Sequence, residues 1–208
     1  MSHPLFVFDL DGTVTTREIL PSIASEAGMG DEIARLTQET LSGLIDFPTS
    51  FRRRFQMLKH IPLNRIQSVV SNIPLDSSIE KFIRSHSEQC VIATGNLDRW
   101  IEPLIQRLGC KCHCSTSRLE QGRLVLDSIL DKGAAVKSMK ARGHTNGIVA
   151  IGESVNDVPM FEQSTVRIAF GGVHNPVPSI LRMADYIARD GKSLCRLLDT
   201  FLVVPAVE

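Results

Sequence analysis

The sequence has no excess of either charge, since 23 Lys and Arg stand against 23 Asp and Glu. A formally neutral chain offers bulk electrostatics no hold on nucleic acid or a membrane surface, so neither partner is expected. No apolar run approaches the length of a membrane span, and the residues ahead of the first strand are too few for a signal peptide. Five cysteines are an odd count without a scaffold pattern, which argues against a disulfide framework and for a reducing, cytoplasmic setting. Internal repeats and low-complexity tracts are missing, which excludes solenoids and arrays. There is no Gly-x-Ser-x-Gly, and none of the six histidines pairs in sequence with a nucleophilic Ser or Cys. Gly171-Gly172-Val173 lacks the further glycine spacing of a dinucleotide loop. Cys110, Cys112 and Cys114 are spaced too closely for a zinc motif; in a strand, these cysteines share one face and pack inward.

What remains is chemistry carried by short polar clusters at the ends of apolar runs. At 208 residues and 43% hydrophobic, the chain can bury a full core as one domain with a modest insertion. Pro4 to Phe8 is short, apolar and sharply ended, which predicts a buried strand. It runs into Asp9-Leu10-Asp11-Gly12-Thr13, which puts two carboxylates, a glycine turn and a hydroxyl where open α/β sheets bind ligands.

Three further clusters follow in order. Cys90 to Ala93 leads into Thr94-Gly95-Asn96, and Leu97, Ile101, Leu104, Ile105 and Leu108 then predict a helix stopped by Gly109. Thr94 between strand and helix suits a phosphate oxygen, although a plain helix cap would read the same. Asp131-Lys132-Gly133 opens a helix presenting Ala135, Val136 and Met139 and stopping at Gly143. A lysine in a first turn sits at the unfavourable end of the helix dipole, so Lys132 is expected to have an anionic partner elsewhere. Ile148 to Ile151 runs into Gly152-Glu153-Ser154-Val155-Asn156-Asp157, whose acids could share a hard cation with the first pair or form an ordinary acidic turn.

Together these clusters resemble the haloacid dehalogenase superfamily in its phosphatase branch, and within it the phosphoserine phosphatases. The resemblance implies a Rossmann-like α/β core, residues 1–14 and 73–208, with a small helical cap at 15–72 inserted after the first strand. It implies Asp9 as nucleophile and Asp11 as general acid and base. Thr94, Gly95 and Lys132 would hold phosphate, and Mg²⁺ would sit on Asp9, the Asp11 main-chain carbonyl, Glu153 and Asp157. Glu18, nine residues after Asp9, matches a glutamate for the substrate ammonium, and Arg54 an arginine for its carboxylate; Asn96 and Asn156 join the substrate site. The implied partner is a small phosphorylated metabolite, phosphoserine first, handled by a monomer or homodimer. A phosphotransferase to an alcohol and a non-catalytic binding module are the alternatives. Three positions depart from the pattern: Glu153 replaces the usual Asp, Gly12 the usual Ser, and Asn96 a second Gly.

Around these clusters, strands alternating with helices predict a parallel sheet covered on both faces. Between Thr13 and Pro74 the period is helical throughout. Asp31 can cap a helix carrying Ile33, Leu36 and Leu44, with Gly43 near its end. Phe47, Phe51, Phe55 and Leu58 form a stripe flanked by Arg52 and Arg54, and Pro62 opens a third helix. Helices at Ser77–Ser87 and around Leu194 to Leu202, a strand near Val166–Phe170 and a hairpin at Gly122 complete the reading.

Overall fold

The computed structural model describes residues 4–142 and 147–202. Seven strands form one sheet: β1 (Leu5–Phe8), β2 (Cys90–Leu97), β3 (Lys111–Glu120), β4 (Arg123–Ser128), β5 (Ile148–Gly152), β6 (Val166–Phe170) and β7 (Tyr186–Ala188). Their spatial order is β4-β3-β2-β1-β5-β6-β7, and every pairing is parallel except β3 with β4. That exception is the hairpin, whose two-residue turn holds Gln121 and Gly122 at φ 49° and 76°. Positive φ at both central residues matches the strand twist, and Gly122 adopts it without steric cost.

The central strands are continuous apolar runs because both of their faces are covered. Phe6 and Phe8 face one layer and meet Phe82 of α5 (Ser77–Ser85), with Phe6 and Phe82 edge-on at 5.4 Å. Leu5 and Val7 face the other layer, with Met139 of α7 (Lys132–Ala141) and Phe161 of α8 (Val158–Glu162). The chain leaves β1 toward β2 on one side and returns to β5 on the other. Ligands bind at such a reversal, beyond the carboxyl ends of the strands. Phe8 lies level with Ile92 and Ile151, so the clusters that follow these three strands emerge at one edge.

Four helices lie between β1 and α5: α1 (Ile19–Ser25), α2 (Gly30–Leu41), α3 (Phe47–Leu58) and α4 (Leu63–Ser71). The chain leaves for them and returns through adjacent segments, joined by a Thr15–Leu75 bridge and by Thr16 N–H donating to the Pro74 carbonyl at 2.9 Å. Against the core they pack on α6 (Asp98–Leu108), where Trp100 stacks on Phe55 at 5.8 Å. The remaining helices are α9 (Pro178–Met183) and α10 (Gly191–Leu202), and no described helix is long and apolar enough to cross a membrane.

Several local expectations shift. Met29 precedes α2, so Asp31 sits inside its first turn, where a carboxylate favours the dipole rather than capping it. Leu44 lies past the helix and is 78% exposed, because Gly43 at φ 78° ends the turn first. Pro62 is extended and precedes α4 instead of opening it, and α5 stops at Ser85. The stop assigned to Gly143 lies outside the described residues. Cys112 and Cys114 are half-buried and pack against the core layer shared with Phe6, as a common strand face requires.

Candidate active site

Beneath the site lies a buried ion triad. Lys132 Nζ donates to Asp9 Oδ1 at 2.5 Å and to Asp157 Oδ1 at 2.6 Å, and all three residues are at least nine-tenths buried. The awkward lysine of the first helical turn thus has its anionic partners across the fold. Burial opposes its charge, but Asp157 and Asp9 outweigh that and hold its pKa above the ordinary lysine value. Two of the three ammonium donors are used, leaving one. Asp157 Oδ2 accepts from the Glu153 N–H at 2.9 Å, the Ser154 N–H at 2.9 Å and the Ser154 hydroxyl at 3.1 Å. Asp157 therefore anchors the turn after β5 and steadies Lys132 from behind. Both of its oxygens accept from protein donors, Oδ1 from Lys132 and Oδ2 from the turn. Burial pushes the Asp9 carboxyl up to about 8, with Lys132 pulling it back.

Asp11 is held from two directions. Its Oδ1 accepts the Ile19 N–H at 2.8 Å, capping α1 from outside that helix, and its Oδ2 accepts the Asn96 side-chain amide. Burial and the charge of Glu18 raise its carboxyl to about 7. Asn96 also turns back on Thr94, donating to Thr94 Oγ1 from its backbone at 3.2 Å and its amide at 3.1 Å. Thr94 does not sit at a helix start: β2 continues to Leu97, and α6 begins at Asp98. Any anion reaching Thr94 would meet its hydroxyl and the strand-end backbone, not a helix dipole. Thr13 is fully buried, and its hydroxyl finds no partner among the described residues.

One cavity is lined by Asp9, Asp11, Glu18, Arg54, Thr94, Gly95, Asn96, Glu153 and Asn156 together with Phe47 and Phe51. The structure thus gathers nearly every candidate from five chain segments; Lys132 and Asp157 lie below the wall. Of the two arginines flanking the phenylalanine stripe, Arg54 is buried and Arg52 exposed. Arg54 bonds Thr37 Oγ1 at 3.3 Å through Nη1 and lies 5.7 Å from the Phe47 ring centre, while its Nη2 has no partner among the described residues. Phe47 crosses from α3 to rest on Gly95, where a Cβ would come within 2.0 Å of the ring.

Glu153 is 3% exposed, and its Oε2 accepts no hydrogen bond from the described residues. Burial first, and then Asp9, Asp157, Glu18 and Asp11, push it up to about 10. Five carboxylates share this space with Lys132 and Arg54. A hard oxygen-donor set with surplus negative charge and an orphaned carboxylate oxygen fits a divalent cation such as Mg²⁺.

The model of the haloacid dehalogenase-like hydrolases matches residues 6–162. The chain belongs to the haloacid dehalogenase-like hydrolases. It is 27% identical over 179 residues to the phosphoserine phosphatase of Methanocaldococcus jannaschii, covering 80% of this chain and 84% of that one. The phosphoserine phosphatase of Archaeoglobus fulgidus is 29% identical over 80% of this chain, which spans about half, 52%, of that relative. The fold is shared with a phosphoserine phosphatase solved as a phospho-aspartyl intermediate analogue, at TM-score 0.79 and 23% identity over 95% of this chain and 99% of that one. This haloacid dehalogenase-like hydrolase is therefore phosphoserine phosphatase-like in sequence and in architecture.

One residue of the site escaped the sequence reading. His174, in the loop after β6, places Nε2 3.1 Å from Glu18 Oε1. Nothing near it in sequence marks it as functional. It arrives because the Val177 N–H donates to the Glu153 carbonyl at 2.9 Å, laying that loop along the turn after β5.

Proposed function

We propose that this hydrolase is a Mg²⁺-dependent phosphomonoesterase acting through an aspartyl-phosphate on Asp9, with a small amino-acid phosphate, phosphoserine first, as substrate. The observation that carries the reading is the disposition of Asp9 and Asp11. One carboxyl is braced by Lys132 below the cavity, and the other lies on the cavity wall with its pKa raised to about 7. Asp9 attacks phosphorus as its carboxylate, the form that Lys132 favours against burial and that a bound cation would favour further, dividing hydrolysis into two easier steps. Asp11, whose carboxyl is raised to about 7 and so carries a proton part of the time at neutral pH, gives that proton to the leaving alcohol and then takes one from water. Thr94, the Gly95 backbone and the spare Lys132 donor receive the phosphoryl oxygens. Asp9, the Asp11 main-chain carbonyl, Glu153 and Asp157 would hold Mg²⁺, which would supply the charge neutralisation that lets a carboxylate approach a phosphate dianion.

The four helices at 15–72 act as a cap that reads what lies beyond the phosphate. Arg54 has a buried donor without a partner, and a guanidinium suits a planar carboxylate through paired hydrogen bonds. Glu18 on the same wall supplies the counter-charge for an ammonium. The five free cysteines favour a cytoplasmic setting.

Phosphate release from a panel of phosphorylated metabolites with Mg²⁺ tests the reading, with product analysis separating water from an alcohol as acceptor. Glu18→Gln and Arg54→Ala are expected to raise KM for phosphoserine by about 10- to 100-fold, the worth of one charged hydrogen bond, and to affect an aryl phosphate far less. A parent protein that ignores phosphoserine, or variants that treat it as the parent does, overturn the amino-acid assignment.

A further inference from the structure

Gly12, Glu18, Glu153 and His174 form an arrangement that hydrolysis of a phosphomonoester does not by itself call for. Among the described residues, Glu18, Glu153 and His174 are the group whose ligand atoms all lie within 4.8 Å of one another. Ligands 2.0–2.2 Å from one ion stand at most about 4.4 Å apart, so these two carboxylates and the imidazole need draw together only slightly to share one. Glu153 is buried and its Oε2 lacks any partner among the described residues, so the group contains an oxygen with no protein donor to satisfy it. His174 and Glu18 are partly open, with 36% and 19% of their side chains exposed, which provides an approach from solvent.

The backbone makes room for this group. A Cβ on Gly12 would fall 2.2 Å from Glu153 Oε1 and 3.0 Å from His174 Cδ2. Gly12 also has φ 68°, where a side chain is disfavoured in any case. The absent side chain at position 12 and the longer acid at position 153 therefore belong to one arrangement: the glutamate carboxyl occupies the volume that a residue with Cβ would fill.

We propose that Glu18, Glu153 and His174 form a binding site for a divalent transition ion, Zn²⁺ or Mn²⁺ in class, which shares Glu153 with the proposed Mg²⁺ ligands and differs from them in its imidazole donor. Mg²⁺ favours oxygen ligands, whereas imidazole shifts preference toward Zn²⁺ and its neighbours. The site rests on the phosphatase reading only in its consequence: an ion there engages the Glu18 carboxylate that the substrate ammonium would use, so Zn²⁺ competes with an amino-acid phosphate.

The test is titration of the metal-free full-length protein with Zn²⁺, followed by histidine side-chain ¹⁵N NMR and by calorimetry. One imidazole signal is expected to shift on Zn²⁺ addition and to be missing from His174→Gln. That variant is expected to lose at least about 10-fold in Zn²⁺ affinity while Mg²⁺ affinity stays within about 2-fold. Glu18→Gln, checked for folding by circular dichroism, should weaken Zn²⁺ in the same direction. Equal Zn²⁺ affinity in the parent and His174→Gln, or a shifted histidine signal that persists in that variant, overturns the site. Phosphate release with Mg²⁺ alone is measured separately. Hydrolysis without His174-dependent Zn²⁺ binding sinks this inference and leaves the phosphatase reading, and the converse result does the opposite.

Discussion

Asn96 donates its side-chain amide to Asp11, the residue assigned as general acid and base. The bond stabilises the charged carboxylate and so lowers the Asp11 pKa against burial and Glu18, which raise it. Asn96→Gly removes that donor. The Asp11 pKa then rises, and the alkaline limb of kcat/KM, where the acid loses its proton, is expected to move to higher pH. A pH profile of the Mg²⁺-loaded variant checks this; a limb that stays in place removes either the bond or Asp11 as the acid.

Phe47 rests on Gly95 and ties the helical insert to the core. Gly95→Ala places a methyl group 2.0 Å from the ring, so Phe47 must move. Overpacking of this kind costs about 1–3 kcal/mol. A thermal melt is expected to show that loss, together with a higher KM for substrates that reach the insert. Adding Phe47→Ala relieves the clash, so the double variant should lose less stability than the two single losses added together. Strict additivity would show that the two residues do not meet.

Asp9→Asn keeps the size of the side chain and one acceptor for Lys132 but removes the nucleophile. Turnover is expected to fall by more than about 10³-fold, with the circular dichroism spectrum unchanged. Activity near the parent's value assigns the attack to another group.

The metal-free protein carries three carboxyls whose pKa values are raised on folding: Asp9 from 3.8 to about 8, Asp11 from 3.8 to about 7, and Glu153 from 4.5 to about 10. A carboxyl raised in this way binds its proton more tightly in the folded state. Its stabilising effect is complete below the ordinary value near pH 4 and is lost as pH rises through 7 to 10. Thermal melts in chelator should therefore fall across that window, and Glu153→Gln, which cannot titrate, should flatten the fall. Mg²⁺ is expected to raise the melting temperature more at pH 8 than at pH 5. A melting temperature independent of pH in chelator would show that these carboxyls are not buried together.

Legible in the sequence were the features set by local pattern. Continuous apolar runs ending in Asp9, Thr94 and Glu153 identify buried parallel strands, because strands covered on both faces need no polar alternation. Lys132, misplaced for its own helix, points to a distant anion, and Asp9 and Asp157 are those anions. Less legible were positions decided by a residue's neighbours across the fold. Asp157 follows Glu153 by four positions, and only the folded turn brings three donors to one of its oxygens and Lys132 to the other. Arg52 and Arg54 lie on either side of one stripe, and only the packing of α3 buries the second.

The sequence by itself determined the α/β class, the order of the clusters and the residues able to carry phosphoryl chemistry, because each rests on periodicity or on types a few residues apart. Tertiary structure alone decided that Asn96 meets Asp11 across 85 positions, and that His174 meets Glu18 across 156. It also decided that Glu153 fills the space beside Gly12. Such contacts depend on the register of β1 against β2 and β5 and on a loop docked by one backbone hydrogen bond. No local pattern encodes them, because the chain must close the sheet before those side chains come within reach.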